Sequence, residues 1–459
     1  MSSVNVGFEH SEYKTHLQQV QVVNNVFSGT DFIKGYIKQF PQEIDSSFEE
    51  RKSNVALKNF VKRATEAFVG MIFRKPISTS GYSNRVNELF KKIDTEVSLN
   101  QFARTLATNL TLDGVTYLMA ESPVEGGDPY LVNIKRSAVI NWRKNETGNF
   151  TLIVIKEEVD EPVDEFATEQ IEQYRVLRDD GTVTLYRLAD GDFYIYDVIY
   201  TDLDYVPIVE LSLSKIPPLY DIALLNLKHA NRTSSKDRYL DMSACPVPVI
   251  WGADIDEDDG SPSTAKPALV IGVDEAFIFN GTKDECDFQW RELQGTSINE
   301  LQKDLLVIEK DITSGVIRAS QSDSQTIKTA TQAYYESAEA SNRVTVIANI
   351  IEYSLNKGID MLVDYLNEPK PTIGMVTINK DYNALASDSG QVRLLWEMYL
   401  GGALSIETLY SSLEQYEMIN VGNPSDEVKR IEKDSFKPVS KVPPADLHKN
   451  TDNTVVPKE

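Results

Sequence analysis

The chain has 459 residues, of which 41% are hydrophobic and 25% charged, and this composition is typical of a globular protein of about three domains. Its formal net charge is −24. Such acidity excludes tight binding of nucleic acid through clustered lysine and arginine, and it favours either plain solubility or a surface past which DNA slides without sticking.

The first part of the chain has helical patterns. Residues 1–45 show no clear hydrophobic period, so we expect an arm that orders only against a neighbouring molecule. An apolar helical face then runs over residues 57–72, and two further helices are predicted over 84–93 and 98–112. The residues of that face are Leu57, Val61, Ala64, Phe68 and Ile72.

Between residues 130 and 208 the hydrophobic period changes from helical to alternating, which predicts an antiparallel sheet. Asp180-Gly181 and Asp190-Gly191 separate successive strands, and such pairs are typical of tight hairpin turns that need a positive φ. We therefore predict that the last three strands form a meander.

Two helices with a short β segment between them follow the sheet. The first helix is predicted over 219–243, and the second begins near Ser297, where Glu300 completes a capping box. The β segment contains an acidic loop and both cysteines, Cys245 and Cys286, which we expect to be reduced thiols. The apolar face of the second helix consists of Leu301, Leu305, Ile308, Ile312 and Val316.

A loop rich in Ser, Gln and Thr separates the second helix from a third, predicted over 331–367 and about 55 Å long. A strand over 372–379 could return to the first sheet. Helices between residues 387 and 432 are interrupted at Gly401-Gly402, and the proline-rich tail from residue 434 is predicted to be disordered.

Candidate catalytic and metal sites are few. Asp254, Asp256 and Asp258 alternate as in a calcium loop, but Asp259 and Ala265 occupy the positions at which an EF-hand has Gly and Glu, so a solvated acidic loop is favoured. The four histidines are scattered, and no nucleotide-binding or hydrolase motif is present. We therefore expect no enzyme activity, no cofactor and no metal. A metal-dependent nuclease built from dispersed carboxylates is the enzymatic alternative.

Seven of the basic residues on the two helices and the following loop are candidates for contact with DNA. They are Lys228, Arg232, Lys236, Lys303, Lys310, Arg318 and Lys328. In a symmetric ring each would form a belt of positive charge able to touch phosphates transiently. The alternative is that most of them pair with Asp304, Glu309 or Asp311, with His229 on a solvent-exposed helix face.

Three segments carry a resemblance to a known family. NFVKRATEAFVGMIFRKP (59–76), AVINWR (138–143) and the segment 218–250 resemble a portal-like group long known only as a domain of unknown function. The order of elements across 52–432 is similar to that of tailed-bacteriophage portal proteins. The resemblance implies an α+β portal fold with a mixed helical and antiparallel-sheet wing, a two-helix stem, a small β clip, a long spine helix and a short helical crown.

These parts have approximate bounds in this sequence. They are an N-terminal arm over 1–45, the wing over 46–215, the first stem helix over 216–243, the clip over 244–292, the second stem helix over 293–319, the tunnel loop over 320–331, the spine helix and returning strand over 332–385, the crown over 386–433 and the tail over 434–459.

The resemblance implies a homo-oligomeric ring, usually a dodecamer, at the portal vertex of a viral capsid, through which double-stranded DNA is packaged and ejected. Its partners would be the terminase large subunit, then the head-tail adaptor, and the major capsid and scaffold proteins. The ring would assemble in the host cytoplasm, become part of the virion and enter no membrane. A structural head-tail adaptor or capsid component without motor docking is the alternative, against which the helix-clip-helix order argues.

The resemblance also implies site residues. The tunnel loop that contacts DNA would comprise Ser320, Gln321, Ser322, Asp323, Ser324, Gln325, Thr326, Ile327, Lys328 and Thr329. The stem charges that face the channel would be Lys303, Lys310, Asp311 and Arg318. The clip would dock its partners through Asp254, Asp256, Glu257, Asp258 and Asp259. The tunnel loop lacks the strongly basic character expected of a segment that grips DNA. A passive guide is therefore favoured over active translocation by this loop, and a separate motor would hydrolyse ATP.

Overall fold

Helices and antiparallel sheets follow one another along the chain in the computed structural model, which is an α+β protein. It divides into two units, Met1–Lys380 and Asp381–Glu459. The residues that the structure describes are 5–41, 43–94, 96–123, 126–189, 191–244, 247–251, 287–291, 296–317, 330–370, 374–380, 389–415 and 430.

Eleven helices and twelve strands are defined within these ranges. The helices are α1 (Ser11–Ser28), α2 (Thr30–Ile33), α3 (Asp45–Ser53), α4 (Phe60–Ile72), α5 (Asn84–Leu89), α6 (Leu99–Asp113), α7 (Tyr220–Ala244), α8 (Thr296–Ile317), α9 (Ala330–Tyr365), α10 (Ser389–Leu400) and α11 (Ile406–Gln415). The strands are β1 (Ser78–Ser80), β2 (Val115–Glu121), β3 (Tyr130–Lys135), β4 (Val139–Lys144), β5 (Phe150–Pro162), β6 (Thr168–Arg178), β7 (Thr182–Ala189), β8 (Asp192–Tyr200), β9 (Ile208–Ser212), β10 (Val247–Trp251), β11 (Asp287–Arg291) and β12 (Met375–Thr377).

The first 45 residues do not form the arm that their sequence predicts. α1 packs against α4, α6 and α7 of the same chain, and Val23 and Val26 are fully buried there. Polar residues that interrupt the hydrophobic period of this segment also form hydrogen bonds within the chain. Asn24 donates one to Asp113 (2.7 Å), and Asn25 donates one to the Tyr36 hydroxyl (3.1 Å). This segment is therefore ordered without a neighbouring molecule.

The predicted apolar face over residues 57–72 is largely confirmed in α4. Asn59 caps this helix by accepting a hydrogen bond from the backbone N–H of Lys62, so the helix begins at Phe60 and Leu57 lies outside it. The remaining residues of that face are buried, namely Val61, Ala64, Phe68 and Ile72. The helices predicted over 84–93 and 98–112 correspond to α5 and α6.

The predicted antiparallel sheet is in fact two sheets. One has the strand order β3-β2-β9 and the other the order β4-β5-β6-β7-β8, whose last three strands form the predicted meander. Gly181 makes the β6–β7 turn with a φ of 77°. A Cβ at this position would lie 2.6 Å from each of the Leu203 and Thr201 carbonyl oxygens, so only glycine fits there without movement of the backbone.

Both faces of the five-stranded sheet carry buried residues. Ile153 and Ile155 of β5 point into one cluster, and Val154 between them points into a second cluster with Ile140 and Val176. This arrangement follows from the two-residue period of a strand. The sheet is thus covered on both faces near its centre.

The strand after the long helix does not return to either of these sheets. β12 pairs instead with β1, which lies between α4 and α5, and Val376 is opposite Thr79. The side chain of Asn356 on α9 holds β12 in place, since it accepts from the Val376 N–H (2.8 Å) and donates to the Val376 carbonyl (3.0 Å). The sequence pattern of β12 could not show this partner, because β1 is a short polar strand.

The predicted long helix is confirmed as α9, whose 36 residues extend over about 54 Å. Its apolar stripe is buried, and Gly358 lies within it against β2. A Cβ on Gly358 would lie 2.7 Å from a methyl carbon of Leu118, so the absence of a side chain allows the helix to approach the strand. The buried residues of the stripe include Val344, Ile347, Ile351, Leu355, Ile359 and Leu362.

The second unit contains α10 and α11, which are separated by the predicted break at Gly401-Gly402. Gly402 has a φ of 75°, a conformation that glycine adopts readily after a helix. Within α10 the rings of Trp396 and Tyr399 lie 5.7 Å apart.

Candidate functional site

The helix pair α7 and α8 is the feature to which the sequence assigns a function. The apolar face predicted for α8 is confirmed at Leu305, Ile308 and Ile312, which are buried, and Leu301 is partly exposed. On α7, Ile222 is buried, whereas Leu240 is 41% exposed.

The two helices run in opposite directions. His229 on α7 contacts Glu309 on α8, and Arg232, one turn later on α7, contacts Asp304 earlier on α8. Contacts that progress in opposite senses along the two helices define an antiparallel pair.

The strand pair β10–β11 continues this arrangement. Val247 lies opposite Arg291 in the antiparallel ladder. The midpoint in sequence between these two residues is the same as that between His229 and Glu309. In the chain β10 follows α7 and β11 precedes α8, so the strand pair lies between the two helices in sequence, and we call these four elements the stem hairpin.

A buried polar contact joins the two helices of the stem hairpin. The His229 side chain is 6% exposed, and its Nε2 lies 3.0 Å from Glu309 Oε1. Lys58 Nζ donates to the same oxygen (2.9 Å), and the Phe60 ring packs edge-on against the imidazole at 5.4 Å. Burial raises the pKa of Glu309, but the hydrogen bonds from Lys58 and His229 outweigh it and leave the pKa below its usual value. The expectation that His229 lies on a solvent-exposed face is wrong.

Asn226, one turn before His229, ties α7 to the start of α4. Its side chain is fully buried, accepts a hydrogen bond from the Phe60 N–H (2.9 Å) and donates one to the Lys58 carbonyl (3.0 Å). These bonds satisfy backbone groups at a helix terminus, which otherwise lack partners. The only signal in the sequence that could identify Asn226 is that of a polar residue among apolar ones at helical spacing.

Arg51 on α3 ties the segment 38–51 to α7. The Arg51 guanidinium pairs with Glu43 (2.7 Å), donates to the Ser234 hydroxyl of α7 (3.0 Å) and donates to the Lys38 carbonyl (2.8 Å). Only 4% of the Arg51 side chain and 7% of the Glu43 side chain are exposed. The hydrogen bond from Arg51 lowers the pKa of Glu43 to about 2.

Of the predicted channel charges, Lys303, Lys310 and Asp311 lie on the exposed side of α8, away from its buried stripe. Lys303 pairs with Glu300 at 2.8 Å rather than with Asp304. The alternative that basic residues pair between the helices holds for Arg232, whose Nε lies 3.1 Å from Asp304.

Two apolar residues share this exposed side of α8. Leu306 and Val307 are 60% and 55% exposed. Because a helix turns about 100° per residue, they flank the line that joins Lys303 and Lys310. The exposed side is thus a cationic line with an apolar residue on each side.

Most of the remaining predicted site residues lie outside the described residues. These are Arg318, the tunnel-loop residues from Ser320 to Thr329, the acidic loop residues Asp254, Asp256, Glu257, Asp258 and Asp259, and both cysteines. Their predicted roles stay predictions.

Within the part of the chain that the structure describes, no group of three or more His, Cys, Asp or Glu side chains could hold a metal ion. No helix among the same residues is both long and apolar enough to cross a membrane.

One family model matches the part of the chain that contains the stem hairpin and the helix after it. A family model described as a domain of unknown function, DUF4055, matches residues 218–366, which run from the start of α7 to the end of α9. The match covers less than half of the chain, and its description states no function. No curated protein sequence matches the chain.

Solved structures similar to this chain come from gene transfer agent (GTA) particles. A chain in the neck of an empty GTA particle computed with C6 symmetry has 13% identity and a TM-score of 0.42, over 82% of this chain and 95% of that one. A chain in the virion of a native GTA particle has 12% identity and a TM-score of 0.43, over 82% and 96%. A chain in the neck of a native GTA particle computed with C12 symmetry has 14% identity and a TM-score of 0.39, over 77% and 89%. At such similarity the comparison carries no argument about the function of this chain.

Proposed function

We propose that this chain is a portal protein, the subunit of a ring at one vertex of a phage-type capsid. Double-stranded DNA would pass through the ring during packaging and ejection. The terminase large subunit and then the head-tail adaptor would dock on it, and the major capsid and scaffold proteins would surround it. The chain itself would be no enzyme and would need no cofactor.

The stem hairpin is the observation that carries this proposal. Its two helices are joined by the His229–Glu309 contact and an apolar stripe, and the strands between them in sequence form an antiparallel pair. Such a rod, anchored at its base through Asn226 and Arg51 to the helices of the first unit, can project rigidly from the body of the protein. Rods of this kind, repeated around an axis, form the wall of a channel.

The exposed side of α8 fits a position in that wall. Lys303 and Lys310 would face the lumen, where they touch phosphates transiently, and Asp311 and Arg318 would belong to the same lining. Leu306 and Val307 on either side of the lysines would be covered by flanking subunits, since the removal of apolar side chains from water is favourable in free energy. The net charge of −24 would keep the backbone of passing DNA from adhering elsewhere.

Electron microscopy of the purified full-length chain tests the proposal. End-on views of a portal show rings with an open axial channel, and their symmetry gives the number of subunits. Compact monomers or dimers under a range of salt and protein concentrations contradict the proposal. Incubation of the same protein with plasmid DNA and Mg²⁺ tests the enzymatic alternative, and DNA cleavage that one carboxylate variant abolishes would establish a nuclease.

A further inference from the structure

A groove runs along α7 on the side that faces the N-terminal segment. It consists of two hollows of about 480 Å³ and about 600 Å³, which share Phe40 and Ser235 in their walls. Apolar side chains remain accessible along it, with Phe40 37% and Ile44 66% exposed. The basic residues that line it are Lys38, Lys228, Arg232 and Arg238.

The groove is a positive patch on an acidic protein. Arg232 is paired with Asp304, and Glu43 in the groove wall is paired with Arg51. Among the described residues, no carboxylate lies within ion-pair distance of the exposed side chains of Lys38 or Lys228. Two uncompensated lysines beside an accessible apolar floor fit an acidic ligand with an apolar anchor.

The same chain carries a segment with these properties. Strands β5 and β6 are joined by a tight loop in which Val163 is 66% and Phe166 is 92% exposed. The Asp164 carboxylate accepts hydrogen bonds from the N–H groups of Phe166 (2.7 Å) and Ala167 (2.8 Å), so the loop holds a defined shape with Phe166 presented outward.

The surroundings of Phe166 are acidic. The sequence between residues 157 and 174 contains no lysine or arginine. Exposed carboxylates lie along the hairpin at Glu158, Asp160, Asp164, Glu165 and Glu169. The end of the β5–β6 hairpin is therefore opposite in charge to the groove along α7. It also presents one large apolar side chain, Phe166, that suits the apolar floor of the groove.

We infer that the β5–β6 loop of one copy docks in the α7 groove of a second copy, with Phe166 as the anchor and with Glu165 and Glu169 near Lys38 and Lys228. The two surfaces differ, so the contact is heterologous, and heterologous contacts close into rings when the rotation between copies permits. The inference rests on the ring assembly of the proposed function and names the contact that links neighbouring subunits.

Charge reversal and its rescue test this contact in the full-length chain. Phe166→Ser removes the anchor, Lys38→Glu with Lys228→Glu reverses the groove, and Glu165→Lys with Glu169→Lys reverses the loop. Each change should raise the protein concentration needed for half-assembly by about tenfold or more, as measured by sedimentation and mass photometry. The variant that combines both reversals should assemble at nearly the wild-type concentration, because attraction is restored.

Lys91→Glu with Lys92→Glu is the matched control, since both lysines are exposed, pair with nearby glutamates and give the same change in charge as the groove variant. Unchanged thermal unfolding and circular dichroism of each variant establish that the fold is intact. If wild-type rings form and the groove and loop variants assemble as readily as the control, the inference is overturned while the proposed function stands. A wild-type chain that forms no ring under any condition overturns both.

Discussion

The Nε2 atom of His229 on α7 lies 3.0 Å from the Oε1 atom of Glu309 on α8, in a site where the imidazole is almost completely buried. This contact fixes the register of the two helices, since a shift of either helix along its axis would leave a buried polar group without a partner. An unpaired buried polar group is more costly than the hydrogen bond itself is favourable.

Replacement of Glu309 should therefore destabilise the protein. Glu309→Leu leaves His229 buried without its acceptor and removes the partner of Lys58, and we expect a loss of roughly 1–3 kcal/mol in the free energy of unfolding. Urea denaturation measures this loss. Glu88→Leu is the control, because Glu88 makes an exposed pair with Lys91 at 2.7 Å, so its effect should stay within about 1 kcal/mol. Equal losses for the two variants would show that the His229 contact does not fix the helix pair.

The Arg51–Glu43 pair should contribute more, because both side chains are buried. Arg51→Met leaves a buried carboxylate without its cation, and we expect a loss of roughly 3–5 kcal/mol in the free energy of unfolding. Lys52→Met is the matched control, since the neighbouring Lys52 pairs with the exposed Glu49 at 3.1 Å. A small loss for Arg51→Met would mean that water reaches Glu43 and solvates it.

The same pair makes stability depend on pH in the acid range. The folded-state pKa of Glu43 is about 2, compared with a usual value of 4.5, because Arg51 donates hydrogen bonds to its carboxylate. The contribution to stability is therefore fully present above about pH 4.5 and is lost as the pH falls towards 2. The difference in unfolding free energy between wild type and Arg51→Met should shrink over this range, and a constant difference would contradict the assignment.

Gly181 and Gly191 form a matched pair of turn glycines in the meander. Both have a positive φ, 77° and 88°, so an alanine at either position costs roughly 1–3 kcal/mol in backbone strain. A Cβ at Gly181 would also approach two carbonyl oxygens, whereas open space surrounds Gly191. Thermal unfolding should therefore show that Gly181→Ala destabilises more than Gly191→Ala, and the reverse order would contradict the close approach of residues 201–203 to this turn.

Asp113 should give the opposite pH dependence to Glu43. Burial raises the pKa of Asp113 to about 6 from 3.8, despite the hydrogen bond from Asn24. The Asp113 carboxyl thus binds its proton more tightly in the folded state than in the unfolded state. The free-energy cost of burying the charged carboxylate is therefore fully present above about pH 6 and disappears as the pH falls to 4. Relative to wild type, Asp113→Asn should therefore be more stable at pH 7 than at pH 4, by up to about 3 kcal/mol. Urea denaturation at the two pH values measures the change, and no difference would contradict the burial.

Lys328 tests the predicted role of the tunnel loop. If the loop guides or retains DNA, Lys328→Ala should weaken the retention of double-stranded DNA by assembled particles and leave ring assembly unchanged, because the proposed contact between subunits does not involve this loop. Release of DNA into nuclease-containing buffer measures retention, with Lys91→Ala as the exposed control. Loss of ring assembly in Lys328→Ala would refute the assignment of this loop to the channel.

Local patterns in the sequence were sufficient for most elements of the fold. The apolar spacing of α8 and α9 predicted helices whose faces are buried, and the Asp-Gly pairs predicted the meander of β6, β7 and β8. The break between α10 and α11 follows from Gly401-Gly402 in the same way. These features depend on the conformational preferences of neighbouring residues, which the sequence states directly.

Contacts between distant residues were decided only by the tertiary structure. The sequence alone assigned residues 1–45 to an arm, returned β12 to the wrong sheet and placed His229 in water. Each of these has a partner far away in the chain: Asn24 contacts Asp113, β12 pairs with β1, and His229 contacts Glu309. The pairing of a polar residue depends on which distant group the fold brings within 3 Å, and a pattern of hydrophobicity carries no information about that choice. The sequence by itself thus determined the helices and strands of the stem hairpin, and the packing of the whole first unit decided how that hairpin is held.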